Sequence, residues 1–203
     1  MRRKMTPPRK RAWVRFGICS FLAVLFICFA LFASYLAPYD PLETFYDHML
    51  EPPSAQFPFG TDQLGRDLFS RILYGGKTSL LIAFAVTGIV SFVGILVGTA
   101  AGYVGGVFDS LLMRISDMLM AFPGTIFTIA LGSFIGIGLQ NLILAMSLTG
   151  WTSYARISRS LVLSIKNNVY IEQARLGGAG SWKILTHYMI PNILPSLLVN
   201  ISQ

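Results

Sequence analysis

Long uncharged stretches alternate along this chain with short charged ones, and the uncharged stretches are long enough to cross a bilayer. An α-helix rises about 1.5 Å per residue and the hydrocarbon layer is about 30 Å thick, so roughly 20 apolar residues suffice. No charge falls between Phe16 and Tyr39, and Gly17 to Ala37 is apolar almost throughout, which predicts a first span. The 31 uncharged residues between Lys77 and Asp109 predict a second, most apolar from Leu80 to Gly102. From Met118 to Ala155 the chain is uncharged again, too long for one helix, and Gly136-Ile137-Gly138-Leu139-Gln140-Asn141 interrupts it. This predicts a third span over Met118 to Ile137 and a fourth over Asn141 to Ile157. The fourth carries Ser147, Thr149, Thr152 and Ser153, hydroxyls that need partners in lipid and suggest a helix facing protein or water, or a re-entrant segment. Ile190 to Gln203 begins a fifth apolar helix of 14 residues, about 21 Å and short of a comfortable crossing.

Composition agrees: the 203 residues are 54% hydrophobic and only 12% charged, half the charge of an ordinary globular chain. Cys19 and Cys28 lie within the first apolar run and read as small fillers, not as a disulfide framework. The net charge of +7 is placed to orient the chain, not to bind nucleic acid. Arg2, Arg3, Lys4, Arg9, Lys10, Arg11 and Arg15 all precede the first span, and no acid lies before Asp40. With the amino terminus inside, these and Arg114, Arg156, Arg159, Lys166, Arg175 and Lys183 put 13 of the 16 basic residues inside, leaving Arg66, Arg71 and Lys77 outside. A basic flank also suits a cleavable signal peptide, but the apolar stretch exceeds the usual 7 to 15 residues and further spans follow. The outer loop between the first two spans holds Asp40, Glu43, Asp47, Glu51, Asp62 and Asp67 among five prolines, and reads as extended and turn-rich, not as a folded domain.

Within the second span Gly94, Gly98, Gly102 and Gly106 recur every fourth residue, a stripe along one helix face that predicts close packing against another backbone. Pro123 sits early in the third span, where it kinks the helix or marks its first turn. Enzymatic motifs fail. Gly75-Gly76-Lys77-Thr78 resembles the end of a phosphate-binding loop, but Arg71 stands where the pattern needs glycine. His48 and His187 fall on opposite faces of the membrane and cannot share a metal. No catalytic constellation is visible, and the spans hold almost no ionisable residue for a proton relay.

The inner loop from Arg156 to Met189 is richer. Apolar and aromatic residues recur at helical spacing on both sides of Gly177-Gly178-Ala179-Gly180, which predicts a short helix, a glycine turn and a second short helix. Such a hairpin suits docking to another protein, or lying as an interfacial helix on lipid headgroups.

This loop resembles the permease subunits of bacterial ABC importers, whose signature runs Glu-Ala-Ala, three residues, Gly, nine residues, Ile, one residue, Leu-Pro. Glu172, Ala174, Gly178 and Pro191 fall in register, while Gln173, Tyr188 and Ile190 replace an Ala, the Ile and the Leu. Phe59-Gly60-Thr61-Asp62, Gly65-Arg66-Asp67, Ser70-Arg71 and Gly76-Lys77-Thr78-Ser79-Leu80 look like the run before span two in the peptide/nickel class. Ala101-Gly102-Tyr103, Gly105-Gly106, Asp109, Met113-Arg114, Asp117, Pro123, Tyr154-Ala155-Arg156 and Arg159 continue the likeness.

The resemblance implies an all-α integral membrane chain with the type I ABC importer transmembrane fold, about four complete spans plus an incomplete fifth. Residues 1–77 would form a basic arm, first helix and extracytoplasmic loop, and 78–203 a partial transmembrane domain with its coupling loop at 156–189. It also implies a multi-pass subunit of the bacterial inner membrane with a cytoplasmic amino terminus. Its partners would be a second permease subunit, two cytosolic ATPase subunits or domains, an extracytoplasmic substrate-binding protein and membrane lipid, with no nucleic acid. No cofactor is expected on this chain, since the partner subunits use the ATP. Glu172, Ala174, Gly178 and Gly180 would form the ATPase contact.

Met120-Ala121-Phe122-Pro123, Gly138-Leu139-Gln140-Asn141 and Leu148 to Arg156 look somewhat more like nickel permeases than dipeptide ones. The expected cargo is therefore nickel or a metal chelate, with di- or oligopeptides as the alternative. A self-contained secondary carrier or channel is a further alternative. Family members complete span five and add a sixth, so the expectation is about two thirds of an importer subunit, cut within its fifth helix.

Overall fold

The computed structural model describes residues 7–136 and 138–201, so the arm ahead of Pro7 lies outside the described residues. Apart from one isolated antiparallel bridge between Thr61 and Asp67, the regular structure among them is helical. Two compact units, Met1–Leu81 and Ile82–Gln203, divide within one long helix.

In the first unit, α1 (Pro7–Leu31) is followed by the single turn α2 (Ala33–Leu36). Along Trp13–Leu31 the apolar side chains point outward almost everywhere, with Trp13, Phe16, Phe21, Phe26 and Leu31 all exposed. A helix that is apolar all round and unburied has lipid as its solvent.

The outer loop differs from the extended segment expected. Phe57 is fully buried, ringed by Tyr39, Phe45 and His48 at centroid distances of 5.5, 5.6 and 5.4 Å. The Asp62 carboxylate accepts from the backbone N–H groups of Leu64 (2.8 Å) and Arg66 (3.0 Å), from Arg66 Nε (2.9 Å) and from Arg71. Burial opposes ionisation of Asp62, but the Arg66 and Leu64 amides and the Arg66 guanidinium outweigh it and hold its carboxyl below the usual range. Aromatic contacts at irregular spacing build this small core, so a rule based on periodicity misses it.

Asp67 caps the next helix, its Oδ2 accepting from the Ser70 amide at 2.8 Å and the Ser70 hydroxyl at 2.6 Å. That helix, α3 (Leu68–Val104), has 37 residues and starts well before the expected Leu80. Lys77 does not stop it, because its ammonium reaches out to Ser34 Oγ at 3.0 Å. At about 1.5 Å per residue α3 is roughly 55 Å long and outruns the hydrocarbon layer.

The expected third span is not one helix. α4 (Gly106–Met120) and α5 (Gly124–Ile135) meet at 87° across Ala121-Phe122-Pro123. Pro123 is extended (φ −57°, ψ 118°) and ends the run of N–H donors, so it opens α5 and does not bend a continuous span. Gly136 and Gly138 take φ of 101° and 159°, and the Asn141 amide caps the end of α5 by donating to the carbonyls of Ile135 (3.3 Å) and Gly136 (3.1 Å). α6 (Leu139–Ile165) follows and runs past the expected Ile157. Several of its hydroxyls bond back along the helix, as in Thr152 to Thr149 O (2.9 Å) and Ser158 to Tyr154 O (2.8 Å), whereas the buried Ser147 hydroxyl has no hydrogen-bond partner among the described residues.

After α7 (Val169–Leu176) the chain re-enters a helix at Ser181, not Ile190. α8 (Ser181–Lys183), a π turn over Ile184–Met189 and α9 (Ile190–Ile201) form one helical run of 21 residues. The wide turn, closed by the Ile190 N–H on Leu185 O, comes just before Pro191, which has no N–H to donate. The fifth apolar segment is thus long enough to cross, which corrects the 14-residue estimate. In all, three helices among the described residues meet the length and apolarity of a span, or four if the bent pair counts as one.

Candidate functional site

The second unit is organised on a seam between α3 and α6. A Cβ built on Gly94 would lie 2.5 Å from Tyr154 Cβ and 2.7 Å from Trp151 O; on Gly98, 2.1 Å from Ala155 O; on Gly102, 3.0 Å from Val162 Cβ. Only glycine permits backbones this close. Val90 meets Gly150 in the same way, so residue numbers rise together along both helices and α3 and α6 run parallel. Gly106 does not join the stripe. It begins α4 with φ of 62° and has open space where a Cβ would stand.

Beyond Gly102 the chain turns sharply through Gly105 and Gly106, both at positive φ. Charged groups from α6 surround this elbow. Arg159 makes a two-pronged contact with Asp109, Nε to Oδ1 at 2.5 Å and Nη2 to Oδ2 at 2.7 Å, and Asp109 is only 8% exposed. Two turns along α4, Asp117 Oδ1 accepts from Arg156 Nη2 at 2.5 Å. Lys166, which closes α6, donates to the Gly102 carbonyl at 3.2 Å. Sequence reasoning missed these pairings, although the signal existed: Asp109 and Asp117 are two of only three acids after Asp67, and Arg156 and Arg159 flank a seam already marked by glycines.

The hairpin follows directly. α7 is held on its inner side by Ile171, fully buried in a cluster with Val162, Ile184, Met189, Ile193 and Leu197. It closes with two bonds, from Ala179 N–H to Ala174 O (3.0 Å) and from Gly178 N–H to Arg175 O (3.0 Å), around Gly178 at φ 79°. This is the left-handed helix stop in which the residue after the cap is glycine because it has no Cβ to clash. Arg175 places its guanidinium 5.5 Å from the Tyr103 ring of α3.

Of the hairpin residues expected to make contacts, Glu172, Gly178 and Gly180 are exposed and Ala174 is half-buried. Ala174, Gly177, Gly178 and Ala179, with Tyr170, Gln173, Lys183 and Tyr188, line a depression of about 450 Å³. Leu176 and Trp182, which the sequence reading did not single out, stand 88% and 75% exposed on this outer face. Leu176 closes α7 and Trp182 lies in the first turn of the helical run that follows, so the two flank the glycine turn.

Residues 94–202 match the family described as binding-protein-dependent transport system inner membrane component. The chain is 36% identical to the di/tripeptide transport system permease protein of Pseudomonas aeruginosa strain UCBPP-PA14, over 95% of this chain and 67% of that protein. It is also 36% identical to the glutathione transport system permease protein of Pectobacterium atrosepticum, over 97% of this chain and 67% of that protein. Identity to the nickel transport system permease protein of Escherichia coli K12 is 37%, over 88% of this chain and 64% of that protein. The chain therefore spans about two thirds of the length of the relatives it matches.

Proposed function

The chain belongs to the family of binding-protein-dependent transport system inner membrane components, in its peptide/nickel class of ABC importer permeases, and we propose that it lines part of a path for short peptides. Members of this family are transport components, not catalysts. In this reading a second permease subunit completes the path, two ATPase subunits drive it and an external binding protein delivers the cargo.

The proposed topology starts with the amino terminus in the cytoplasm, as the clustering of basic residues favours. α3 then descends, and because α6 runs parallel to it, the chain between them has to return across the membrane. α4 and α5 together make that return as one broken span, in keeping with a type I importer fold. On this reading 1–77 is the arm, first helix and outer loop, and 78–203 the partial transmembrane domain.

One observation carries the coupling role. The hairpin buries Ile171 in the core while leaving Glu172, Leu176, Gly178 and Trp182 open on its far side. It is thus fixed to α6 and α9 and free to seat in a partner, as a lever between ATPase and path requires. The Gly178→Trp variant should insert normally and lose both ATPase capture and uptake; normal capture would remove the coupling reading.

For cargo, peptides replace the nickel expected from the sequence. Supporting this, relatives named for di/tripeptide, D,D-dipeptide and glutathione transport are 35–40% identical to the chain, so several peptide carriers share the likeness. Nickel remains the second reading because that relative is 37% identical. Uptake of labelled dipeptide and of labelled nickel by the assembled importer separates the two; accumulation of nickel alone would reverse the choice.

A further inference from the structure

The elbow between α3 and α4 is made of two left-handed glycines, Gly105 at φ 74° and Gly106 at φ 62°. Backbone of this kind has no side chain to fix its angle. Here α6 fixes it from both sides. Lys166 holds the last turn of α3 through the Gly102 carbonyl at 3.2 Å, where the helix end favours a cation. Arg159 holds the first turn of α4 through its two-pronged contact with Asp109, at 2.5 and 2.7 Å. Such planar, charge-assisted pairs fix orientation as well as distance. Asp109 is 8% exposed, and a buried carboxylate without its partner is strongly destabilising, so the contact behaves as made or broken with little in between.

The same end of α6 leads into the hairpin. Lys166 closes α6 and α7 begins at Val169, while Arg175 on α7 lies over Tyr103 in the last turn of α3. A displacement of the hairpin therefore reaches the elbow through α6 and through Arg175.

We propose that the Asp109–Arg159 pair is the joint that makes α4 follow the hairpin, so that Asp109 and Arg159 are positioning residues for transport. The proposal rests on the reading of the hairpin as the ATPase-coupling element. α4 carries the motion as far as the break at Pro123, where α5 begins.

The test uses the intact importer in proteoliposomes, with Asp109→Asn, Arg159→Gln, the two combined, and Asp109→Glu. Assembly, ATP hydrolysis and cargo uptake are measured on each, and the readout is uptake per ATP hydrolysed. Asp109→Asn and the double variant, which leave no unpaired buried carboxylate, are expected to assemble and hydrolyse ATP while this ratio falls about tenfold, the size of a typical coupling between sites, whereas Arg159→Gln strands Asp109 and should assemble less well. The double variant should be no worse than either single, as for two residues acting as one unit. Asp109→Glu, which keeps the carboxylate, should recover most of the ratio.

An unchanged ratio in Asp109→Asn overturns the proposal, as does loss of assembly by Asp109→Asn, which would make the pair a folding contact only. A parallel fall in uptake and hydrolysis also overturns it. If Gly178→Trp leaves ATPase capture intact, the coupling reading itself fails. If Gly178→Trp behaves as expected and Asp109→Asn transports normally, only the joint fails.

Discussion

Replacing Gly98 by alanine adds one methyl group at the tightest point of the α3–α6 seam. Its Cβ would lie 2.1 Å from the Ala155 carbonyl oxygen and 2.8 Å from both Ala155 C and Cα, where ordinary contact begins at 3.4 Å. Every one of these atoms is backbone, so no rotamer change makes room and the helices have to part by about an ångström. A gap of that size forfeits a quarter to a half of the contact energy along the seam, and overpacking of this kind costs about 1–3 kcal/mol or somewhat more. Alanine returns about 1 kcal/mol through helix propensity. Gly88→Ala is the internal control: nothing lies within 4 Å of its Cβ, so only the propensity gain of about 1 kcal/mol applies. The propensity gain cancels between the two, so the variants should differ by the overpacking cost alone, about 1–3 kcal/mol, a factor of about five to a hundred and fifty in the unfolding equilibrium. Reversible unfolding of the purified chain in mixed micelles measures it. Ala155→Gly should not rescue Gly98→Ala, because the offending atoms remain. At Gly102 the nearest atoms are Val162 Cβ and Cγ1 at 3.0 Å and Arg159 O at 3.1 Å, so Val162→Ala, which removes only Cγ1 of the three, should rescue Gly102→Ala only in part. Equal stability of the Gly98 and Gly88 variants would refute the close-approach argument.

Gly178 has open space around a built Cβ but φ of 79°, so conformation and not bulk decides what it tolerates. Gly178→Asn should keep ATPase capture close to the parent, whereas Gly178→Val should weaken the hairpin by about 1–2 kcal/mol and lower capture in a pull-down. The folded-state pKa of Asp62 is depressed, so its stabilising effect on the outer loop is fully present above about pH 4 and is lost as pH falls through the folded value. Hydrogen exchange of the Phe57 region should accelerate as pH drops below about 4, once the intrinsic rate is corrected for, and Asp62→Asn should remove that added pH dependence.

The rough positions of the long apolar helices were legible because lipid imposes a length on anything that crosses it. Their number was not: three described helices, or four with the bent pair, meet the criterion, and α6, the expected fourth span, is not among them. Helix ends were also less legible. Lys77 read as a boundary and is not one, since a long side chain carries its charge to Ser34 without breaking the backbone ladder. Pro123 is visible in the sequence, and its missing N–H, with Gly124 after it, divides the expected third span into two helices at 87°. The stripe of Gly94, Gly98 and Gly102 was visible in its spacing, yet Gly106 fits the same spacing and plays a different part, because the helix has already ended at Val104. The Phe57 core is invisible in the sequence, and the Asp109–Arg159 contact is only hinted at by the scarcity of acids after Asp67, for a common reason. Both join residues through tertiary contacts that no periodicity encodes, the second across 50 positions of chain.

These differences divide the second unit into a tightly packed frame and a less buried segment. Backbone contact along the glycine seam leaves α3 and α6 little freedom to slide, and the Arg159 and Arg156 pairs add α4 to the same body. α5 is different. Among its described residues none is buried, Pro123 interrupts the hydrogen-bond ladder at one end, and Gly136 and Gly138 stand at positive φ at the other. Breaks of this kind absorb backbone rotation at small cost, while a seam of backbone contacts with no adjustable side chains does not. If the hairpin drives the frame through α6, the change of shape collects at the two ends of α5. In the proposed topology α5 is the half of the broken span that reaches back across the membrane, which is where an alternating path has to open and close.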